Sequence, residues 1–361
     1  MCLRATAQRV ATIMRAVTLL PGVPDSVRLE DIDEPPLSDG AILVRTLALG
    51  ICGTDHEILD GLHGSAPQHS QRLVLGHESL GVVETAPSGC GFSPGDVVVG
   101  IVRRPDPLPC PACAAGEWDM CRNDGYTERG IRGRHGFGAE RFRIEPEFAV
   151  KIDPDLGIAG VLMEPASIVA KAWDHVERVG RRSRAWSPRN LLVSGAGPIG
   201  LLAALMGRQR GLDVHILERA VAGPKPALIG ELAAHHHAGV ESLGNLQFDV
   251  VLECTAAPAV IVEAMKRCAP SGIVCLLGVT PSGLTSEFDI GGFNRKLVLG
   301  NEVVLGAVNA NLSHYRQAAD ALSRADKVFL ERLITRRVPL ERWREAFEKR
   351  PDDVKVVLEF T

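Results

Sequence analysis

The chain has 361 residues, of which 45% are hydrophobic and 23% are charged, and its net charge is −4. This is an ordinary globular composition, and the length predicts two domains. The small negative charge, without a long run of Lys or Arg, argues against nucleic acid or an anionic membrane as a partner. The nine cysteines, an odd number, favour metal binding in a reducing compartment over disulfides, so we expect a cytoplasmic protein.

The N-terminal stretch from Met1 to Ile13 has no continuous apolar core, so it resembles neither a signal peptide nor a membrane anchor. We interpret Met14 as the functional start and the preceding residues as a disordered extension. From Met14 to about Ile152, short strand-like runs such as Gly81–Glu84 and Asp96–Val99 are separated by Pro, Gly and Asp. They predict a β-rich, barrel-like domain.

Three metal-ligand types lie in this first region: the thiol of Cys52, the imidazole of His77 and the carboxylate of Glu78. Each alone has a commoner interpretation, as a small buried thiol, a core or surface histidine, or a solvated charge. Together, with glycines beside Cys52 and His77, they match zinc and leave one coordination position open, as catalytic sites do. Thr54 is placed to relay the proton of a bound hydroxyl, or alternatively to cap a helix.

Two further features follow before residue 165. The first is a cluster of three thiols with metal-like spacing, Cys110, Cys113 and Cys121. It is one ligand short of a closed tetrahedral zinc site; Asp106 lies close enough in sequence to donate an oxygen, and Asp119 and Asp124 are further candidates. A lobe held by packing alone is the alternative. The second is Glu164, a carboxylate in an apolar setting near the expected domain junction, whose alternative role is a helix N-terminal charge.

A dinucleotide-binding turn is predicted where the apolar strand Leu191–Ser194 runs into a glycine motif and then a long apolar helix. The motif contains Gly195, Gly197, Pro198, Ile199 and Gly200. Glu218 closes the next strand, where a carboxylate bonds the adenosine ribose and repels a 2′-phosphate. Arg219 next to it suits a phosphate. We therefore expect NAD to be preferred, with NADP as the other coenzyme.

Strands alternate with helices through this second half, which predicts a doubly wound parallel sheet. The expected strands are Asn190–Ser194, Asp213–Leu217, Phe248–Cys254, Gly272–Gly278 and Val303–Val308. The tail is expected to contain helices near Tyr315–Arg324 and Glu341–Lys349 and a last strand at Val354–Glu359.

With these motifs the chain resembles the zinc-dependent medium-chain dehydrogenase/reductases from Met14 to Thr361, and within them the glucose 1-dehydrogenases. The segments Tyr126–Phe137 and Gly306–Asn311 carry the closer likeness. The resemblance implies an α/β fold with a Rossmann sheet and a GroES-like catalytic barrel. The implied division is 14–160 for the catalytic domain, 161–308 for the nucleotide-binding domain and 309–361 for a return to the catalytic domain.

The resemblance also implies roles for single residues. The catalytic zinc set corresponds to Cys52, His77, Glu78 and Glu164. Thr54, Glu128 and Asn309 match positions that face the sugar, and Gly278, Val279 and Asn309 match positions at the nicotinamide end. The implied reaction is oxidation of β-D-glucose at C1 to the 1,5-lactone.

Three departures from the family pattern stand beside this likeness. Pro87 breaks the strict zinc signature without touching a ligand, and Pro107 replaces the first cysteine of the structural zinc lobe. The segment Glu218-Arg219-Ala220 stands where many relatives have an Asn-Arg-Arg phosphate clamp.

A polyol, cyclitol or amino-sugar dehydrogenase is the alternative function, and a non-catalytic nucleotide-binding relative is another. The apolar run Leu297–Val308 predicts an edge strand that pairs in a homodimer or homotetramer.

Overall fold

A computed structural model describes residues 12–281 and 283–360. The first half is built mainly of strands: β1 (Ile13–Leu19), β2 (Arg28–Asp33), β3 (Ile42–Ile51), β4 (Leu73–Val74), β5 (Glu78–Thr85), β6 (Val97–Gly100), β7 (Arg103–Arg104), β8 (Thr127–Arg129), β9 (Gly133–Arg134), β10 (Arg141–Ile144) and β11 (Ala149–Lys151). Its α-helices are α1 (Gly53–Leu59) and α2 (Pro111–Ala114), and short 3-10 helices occur at Leu37–Asp39, Trp118–Met120 and Pro146–Phe148.

The second half alternates helices and strands. Its helices are α3 (Met163–Gly180), α4 (Pro198–Gln209), α5 (Pro224–Glu231), α6 (Pro258–Lys266), α7 (Ile290–Gly300), α8 (Leu312–Ser323) and α9 (Lys327–Leu333). Its strands are β12 (Asn190–Ser194), β13 (Asp213–Leu217), β14 (His235–His237), β15 (Phe248–Glu253), β16 (Cys268–Leu276), β17 (Val303–Gly306), β18 (Ile334–Pro339) and β19 (Lys355–Glu359). Three 3-10 segments are Pro154–Leu162, Val240–Leu243 and Leu340–Phe347.

Six parallel strands form the nucleotide-binding sheet, in the order β14-β13-β12-β15-β16-β17. Counted from β12, this is the 3-2-1-4-5-6 order of a Rossmann fold, as predicted. The inner strand β12 is buried and apolar from Leu191 to Val193 because helices cover both faces of such a sheet. From β12 the chain adds strands toward one edge of the sheet, and from β15 it adds them toward the other edge. This switch point beside β12 places the ligand crevice at the carboxyl end of that strand.

A second, mostly antiparallel sheet has the order β11-β6-β5-β3-β19-β18, with β10 also paired to β3. Strand β19 pairs with β3 through Val356 and Ile51, so the end of the chain completes the sheet begun in the first half. One continuous apolar cluster includes Leu49 of this sheet, Val193 of the nucleotide-binding sheet and Trp173 of α3. The predicted return of the C-terminal segment to the first sheet is therefore observed, whereas the exact domain boundaries stay a prediction.

Several local expectations need correction. Leu297–Gly300 ends helix α7, so only the second part of the predicted edge strand is extended, as β17. The predicted tail helix near Glu341 is a 3-10 segment, Leu340–Phe347. The predicted N-terminal extension falls mostly on residues 1–11, outside the described residues. By length and composition the helical stretch Pro154–Gly180 could cross a membrane, but 83% of its most apolar window is buried inside the fold, as in a core helix.

Candidate active site

The predicted metal donors meet where β3 ends and β5 begins. Glu78 pairs in register with Gly50, so His77 and Glu78 lie across the sheet from Cys52, which follows β3. Ligand atoms of the three side chains all lie within 4.8 Å of one another. His77 and Glu78 are buried and Cys52 is half-buried. A thiolate, an imidazole and a carboxylate at this separation fit a zinc ion.

Glycines hold His77 in this place. Gly76 has a φ of +93°, and its carbonyl oxygen lies only 2.3 Å from where a Cβ on Gly130 or Gly136 would stand. The backbone N–H of Phe137 donates to the same carbonyl at 2.9 Å. The segment Tyr126–Phe137 therefore needs its glycines because its backbone packs directly against the residue before His77.

Asp55 orients the imidazole, a role that the sequence analysis did not assign. Its carboxylate is fully buried, with Oδ1 3.4 Å from Nδ1 of His77 and Oδ2 accepting the Cys52 backbone N–H at 2.8 Å. Burial alone would lower the pKa of His77, but the Asp55 carboxylate and the Cys52 thiol together outweigh burial and hold that pKa well above its ordinary value. A carboxylate on one imidazole nitrogen fixes the ring for ligation through the other. The Cys52-x-x-Asp55 spacing was the available signal, and Cys52, not Thr54, is the N-cap of α1.

Lys355 is the second residue that sequence reasoning missed. Its ammonium group donates to both oxygens of Glu78, at 2.7 and 2.6 Å, and to the Ile51 carbonyl at 3.0 Å. Both side chains are almost completely buried, with exposed fractions of 2% and 1%. Burial alone would lower the pKa of Lys355, but Glu78 outweighs burial and raises it, so the lysine stays charged. The only signal in the sequence was a lysine inside the apolar strand β19.

Glu164 lies in the first turn of α3 and lines the same cavity as the three donors. Burial raises its pKa to about 7, because a charged carboxylate is poorly solvated there. Because Glu164 lies both in the cavity and in the first turn of α3, its position is compatible with metal binding or proton transfer and also with a charge that stabilises the helix N-terminus.

The predicted sugar-facing residues Glu128 and Asn309 contact each other. The Asn309 amide donates to Oε1 of Glu128 at 2.7 Å, and the Arg103 guanidinium donates to the same oxygen from Nε at 3.1 Å and from a terminal nitrogen at 3.0 Å. Arg103 in turn lies 3.7 Å over the ring of Tyr126. Asn309 has a φ of +63°, a left-handed conformation that asparagine tolerates better than most residues. The pair is therefore built rigidly into the cavity wall.

A buried ion pair supports this wall from behind. The Lys171 ammonium lies 2.8 Å from Oδ2 of Asp119 and donates at 2.8 Å to the carbonyl of Val308, the residue before Asn309. The Asn311 amide donates to the other Asp119 oxygen at 2.7 Å. Asp119 was predicted as a candidate ligand for the cysteine cluster, and the structure instead uses it to tie α3 to the loop that carries Asn309.

A single cavity of about 800 Å³ brings these groups together. The predicted residues that line it are Cys52, Thr54, His77, Glu78, Glu128, Glu164, Pro198, Ile199, Gly278, Val279 and Asn309. Lys355 lines it as well. The donor set, the sugar-facing pair and the end of the glycine motif thus face one space between the two sheets.

The glycine motif has the geometry that a pyrophosphate requires. Gly195 has a φ of +87°, and a Cβ on Gly200 would lie 1.9 Å from the Gly195 carbonyl oxygen. Gly197 is the N-cap of α4, whose first residue is Pro198, so the helix N-terminus is open to an anion. Only glycine fits at the first and last positions of this turn.

Glu218 lies at the carboxyl end of β13, as predicted, and its oxygens accept backbone N–H groups of Ala196 and Ala220, both at 3.0 Å. Burial would raise its pKa, but these two hydrogen bonds outweigh burial and lower it, so the group is a carboxylate at neutral pH. Arg219 is exposed, and Lys225 lies 3.7 Å from the Glu218 carboxylate. Negative and positive groups therefore both border the expected ribose position.

The thiols of Cys110, Cys113 and Cys121 also cluster within 4.8 Å, away from the cavity. Backbone hydrogen bonds, the strongest involving the backbone of Cys113, lower the pKa of Cys110 to about 7, whereas burial raises the pKa of Cys113 to about 11, so Cys110 most readily forms the thiolate that metals need. No carboxylate of the described residues joins this group: Asp124 pairs with Arg132, and Asp106 accepts the Leu108 backbone N–H. Three donors fit a metal, and the fourth ligand is unassigned.

This fold and site define a class: a zinc-type alcohol dehydrogenase barrel joined to a Rossmann domain, which is the architecture of an NAD(P)-dependent dehydrogenase. The family model "Alcohol dehydrogenase GroES-like domain" matches residues 38–154. The model "Glucose dehydrogenase C-terminus" matches residues 157–360, and the chain belongs to this glucose dehydrogenase family.

Relatives agree with this assignment over nearly the whole chain. The glucose 1-dehydrogenase of Methanocella arvoryzae is 39% identical over 357 residues, and glucose 1-dehydrogenase 1 of Caldivirga maquilingensis is 40% identical over 352 residues. Each comparison covers 96% of this chain and 99% of the relative. The structure of Haloferax mediterranei glucose dehydrogenase in complex with NADP, Zn and gluconolactone superposes with a TM-score of 0.87 at 34% identity, covering 96% of this chain and 99% of that one.

Proposed function

We propose that this protein oxidises D-glucose, or a related aldose, at C1 to the 1,5-lactone, with zinc at Cys52, His77 and Glu78 and with NAD(P) as hydride acceptor. The observation that carries the proposal is the single cavity in which the zinc donors, the Glu128–Asn309 pair and the nicotinamide-end residues Gly278 and Val279 meet. The relatives named as glucose 1-dehydrogenases, and the structure with NADP, Zn and gluconolactone, support it.

A zinc ion bound here supplies Lewis acidity, which lowers the pKa of a coordinated hydroxyl. A nicotinamide coenzyme bound at the glycine motif would accept the C1 hydrogen with its electron pair, as hydride. The hydroxyl proton leaves toward Thr54 or Glu164 as the C1–O double bond forms. In this scheme Glu128 and Asn309 accept and donate hydrogen bonds to the sugar hydroxyls and so hold C1 toward the coenzyme.

Coenzyme choice, compartment and assembly are part of the proposal. We propose that NAD is preferred because Glu218 is charged, with NADP also accepted because Arg219 and Lys225 are close.

The eight described cysteines are all free thiols, which supports a cytoplasmic location. Strand β17 is the edge of the nucleotide-binding sheet, and Val298 and Leu299 of the preceding helix are exposed; both support a homodimer or homotetramer. Light scattering at working concentration tests the assembly, and a monomer would contradict it.

The test of function is nicotinamide reduction by zinc-replete protein with D-glucose, with NAD and NADP in parallel, against aldoses, polyols and simple alcohols. Glucose turnover supports the proposal, and activity confined to a polyol, cyclitol or amino sugar would move the substrate while keeping the chemistry. Cys52→Ser should lose zinc and turnover together while NAD binding survives. Cys90→Ser, a half-buried thiol outside both clusters, is the matched control and should keep all three. Full turnover by Cys52→Ser would exclude the mechanism.

A further inference from the structure

A third cluster of metal-ligand side chains lies on the edge of the nucleotide-binding sheet. It consists of Asp213, His215 and His235, whose ligand atoms all lie within 4.8 Å of one another. Asp213 and His215 are two residues apart on β13 and therefore share one face of the sheet. His235 begins β14 and pairs in register with His215, which brings its ring to the same face.

The Asp213 carboxylate is shared between two imidazoles. Its Oδ2 lies 3.3 Å from Nε2 of His215, and its Oδ1 lies 3.0 Å from Nε2 of His235. In the described part of the chain, Asp213 has no Lys or Arg as an ion-pair partner. The donor set is thus two imidazole nitrogens and one carboxylate, whose ligand atoms all lie within 4.8 Å of one another.

His237 fixes the orientation of the central ring. Its Nε2 lies 2.9 Å from Nδ1 of His215, and the two rings are stacked with their centroids 5.1 Å apart. The ring of His235 also stacks on His215, with the centroids 4.6 Å apart. When His215 donates its Nδ1 proton to His237, its Nε2 lone pair points at the Asp213 carboxylate, a repulsive contact that a cation between them relieves. A positively charged His215 between two further imidazoles is a poor substitute for that cation.

We propose that Asp213, His215 and His235 bind a divalent transition-metal ion, with water completing the coordination. Imidazole and carboxylate ligands suit Zn²⁺ or Ni²⁺, whereas Ca²⁺ and Mg²⁺ require oxygen ligands. The site is separate from the catalytic cavity. Asp213 begins β13 and Glu218 follows its other end, about 16 Å away along the strand, and a dinucleotide binds at the carboxyl end.

The ion would clamp a short edge strand to its neighbour. Strand β14 has only three residues, and its pairing with β13 is its contact with the rest of the sheet. The side chains of Asp213 and His235 are more than half exposed, at 55% and 59%, so an ion can reach them without rearrangement of the core. Loading the site should therefore raise thermal stability.

The experiment uses tag-free protein whose zinc sites are already filled, titrated with Ni²⁺ by calorimetry, with bound metal counted after equilibrium dialysis. Wild type should take up one Ni²⁺ per chain more than His235→Asn and more than Asp213→Asn, and Ni²⁺ should raise the melting temperature of wild type but not of these two variants. His236→Asn is the matched control, because the His236 imidazole contacts the Glu218 carbonyl and not the cluster. This variant should bind Ni²⁺ like wild type.

Two outcomes would overturn the proposal. The first is equal Ni²⁺ uptake by wild type, His235→Asn and Asp213→Asn, which would leave the cluster as a chain of hydrogen bonds in which His237 donates to His215 and His215 donates to Asp213. The second is a loss of uptake by His236→Asn as large as that by His235→Asn. Equal melting temperatures of all variants in chelator show that they fold alike.

Discussion

The buried Glu78–Lys355 pair should stabilise the zinc-free protein and weaken zinc binding, and Lys355→Met tests both effects. Methionine keeps the length of the side chain and removes the ammonium group that donates to both Glu78 oxygens and to the Ile51 carbonyl. In zinc-free protein the change leaves Glu78 as a buried carboxylate without a cation. Breaking a buried pair from one side costs about 3–5 kcal/mol, and we expect the unfolding free energy to fall by that amount.

Zinc should restore most of this loss, because the ion replaces the positive charge that Lys355 supplied. The change in zinc affinity follows from the decrease in unfolding free energy that Lys355→Met causes, measured with and without zinc. If this decrease is smaller by about 3 kcal/mol in the zinc-bound protein, zinc binds roughly 100-fold more tightly to the variant than to wild type.

The assay is competition for zinc with a chelator of known affinity, combined with urea unfolding in chelator and in excess zinc. Lys151→Met is the matched control, since it removes a lysine paired at 2.8 Å with Asp96 on the surface, where the expected loss is below about 1 kcal/mol. Unchanged zinc affinity in Lys355→Met, with equal destabilisation in both unfolding experiments, would refute the reasoning.

Three further predictions concern other parts of the molecule. Lys171→Met should lower the unfolding free energy by about 3–5 kcal/mol in urea, because it leaves Asp119 buried and unpaired, and should raise the KM for the sugar; an unchanged KM would mean that Asn309 does not depend on it. Glu218→Asn should raise the ratio of kcat/KM with NADP to kcat/KM with NAD at least about tenfold, since it removes a charge that repels a 2′-phosphate, and a constant ratio would contradict this role. Burial raises the pKa of Glu145, but its hydrogen bonds with Arg104 outweigh burial and lower it to about 2. Because this folded pKa lies below the unfolded value of about 4.3, stability from Glu145 is complete above that value and lost as pH falls toward 2, so Glu145→Gln should flatten acid unfolding curves in that window.

The nucleotide-binding half was predictable because its signals are local. A strand buried on both faces is a short apolar run, and the expected bounds of Asn190–Ser194 and Asp213–Leu217 are those of β12 and β13. The glycine motif is local as well, since Gly195 and Gly200 approach each other within one turn. Short-range steric rules therefore decide both features.

Leu297–Gly300 shows where local signals fail. A short apolar run fits a strand or a helix equally well, and periodicity cannot separate the two. The structure ends a helix there, with Val298 and Leu299 exposed and Asn301 in the left-handed conformation as its C-cap. That asparagine was the available signal, because Asn and Gly favour the end of a helix.

The partners of the site residues could not be predicted for a different reason: they come from distant parts of the chain. Cys52, His77 and Glu78 are recognisable by type, but Lys355 reaches Glu78 only because β19 pairs with β3. In sequence it is a lysine among valines, with nothing to mark its partner. The same holds for Lys171, which becomes informative only when Asp119 and Val308 are seen beside it.

The pairing of β19 with β3 therefore both completes the mostly antiparallel sheet and brings Lys355 to the metal centre. Strand β19 pairs Val356 with Ile51, the residue before Cys52, and this register places Lys355 against Glu78. Without β19 the Glu78 carboxylate would lack its cation, and burying it alone would be costly. Zinc and the last strand thus provide alternative positive charges for one carboxylate. By this reasoning the C-terminal return makes a stable metal-free site possible, and it should lower the affinity of that site for zinc, which the chelator competition measures.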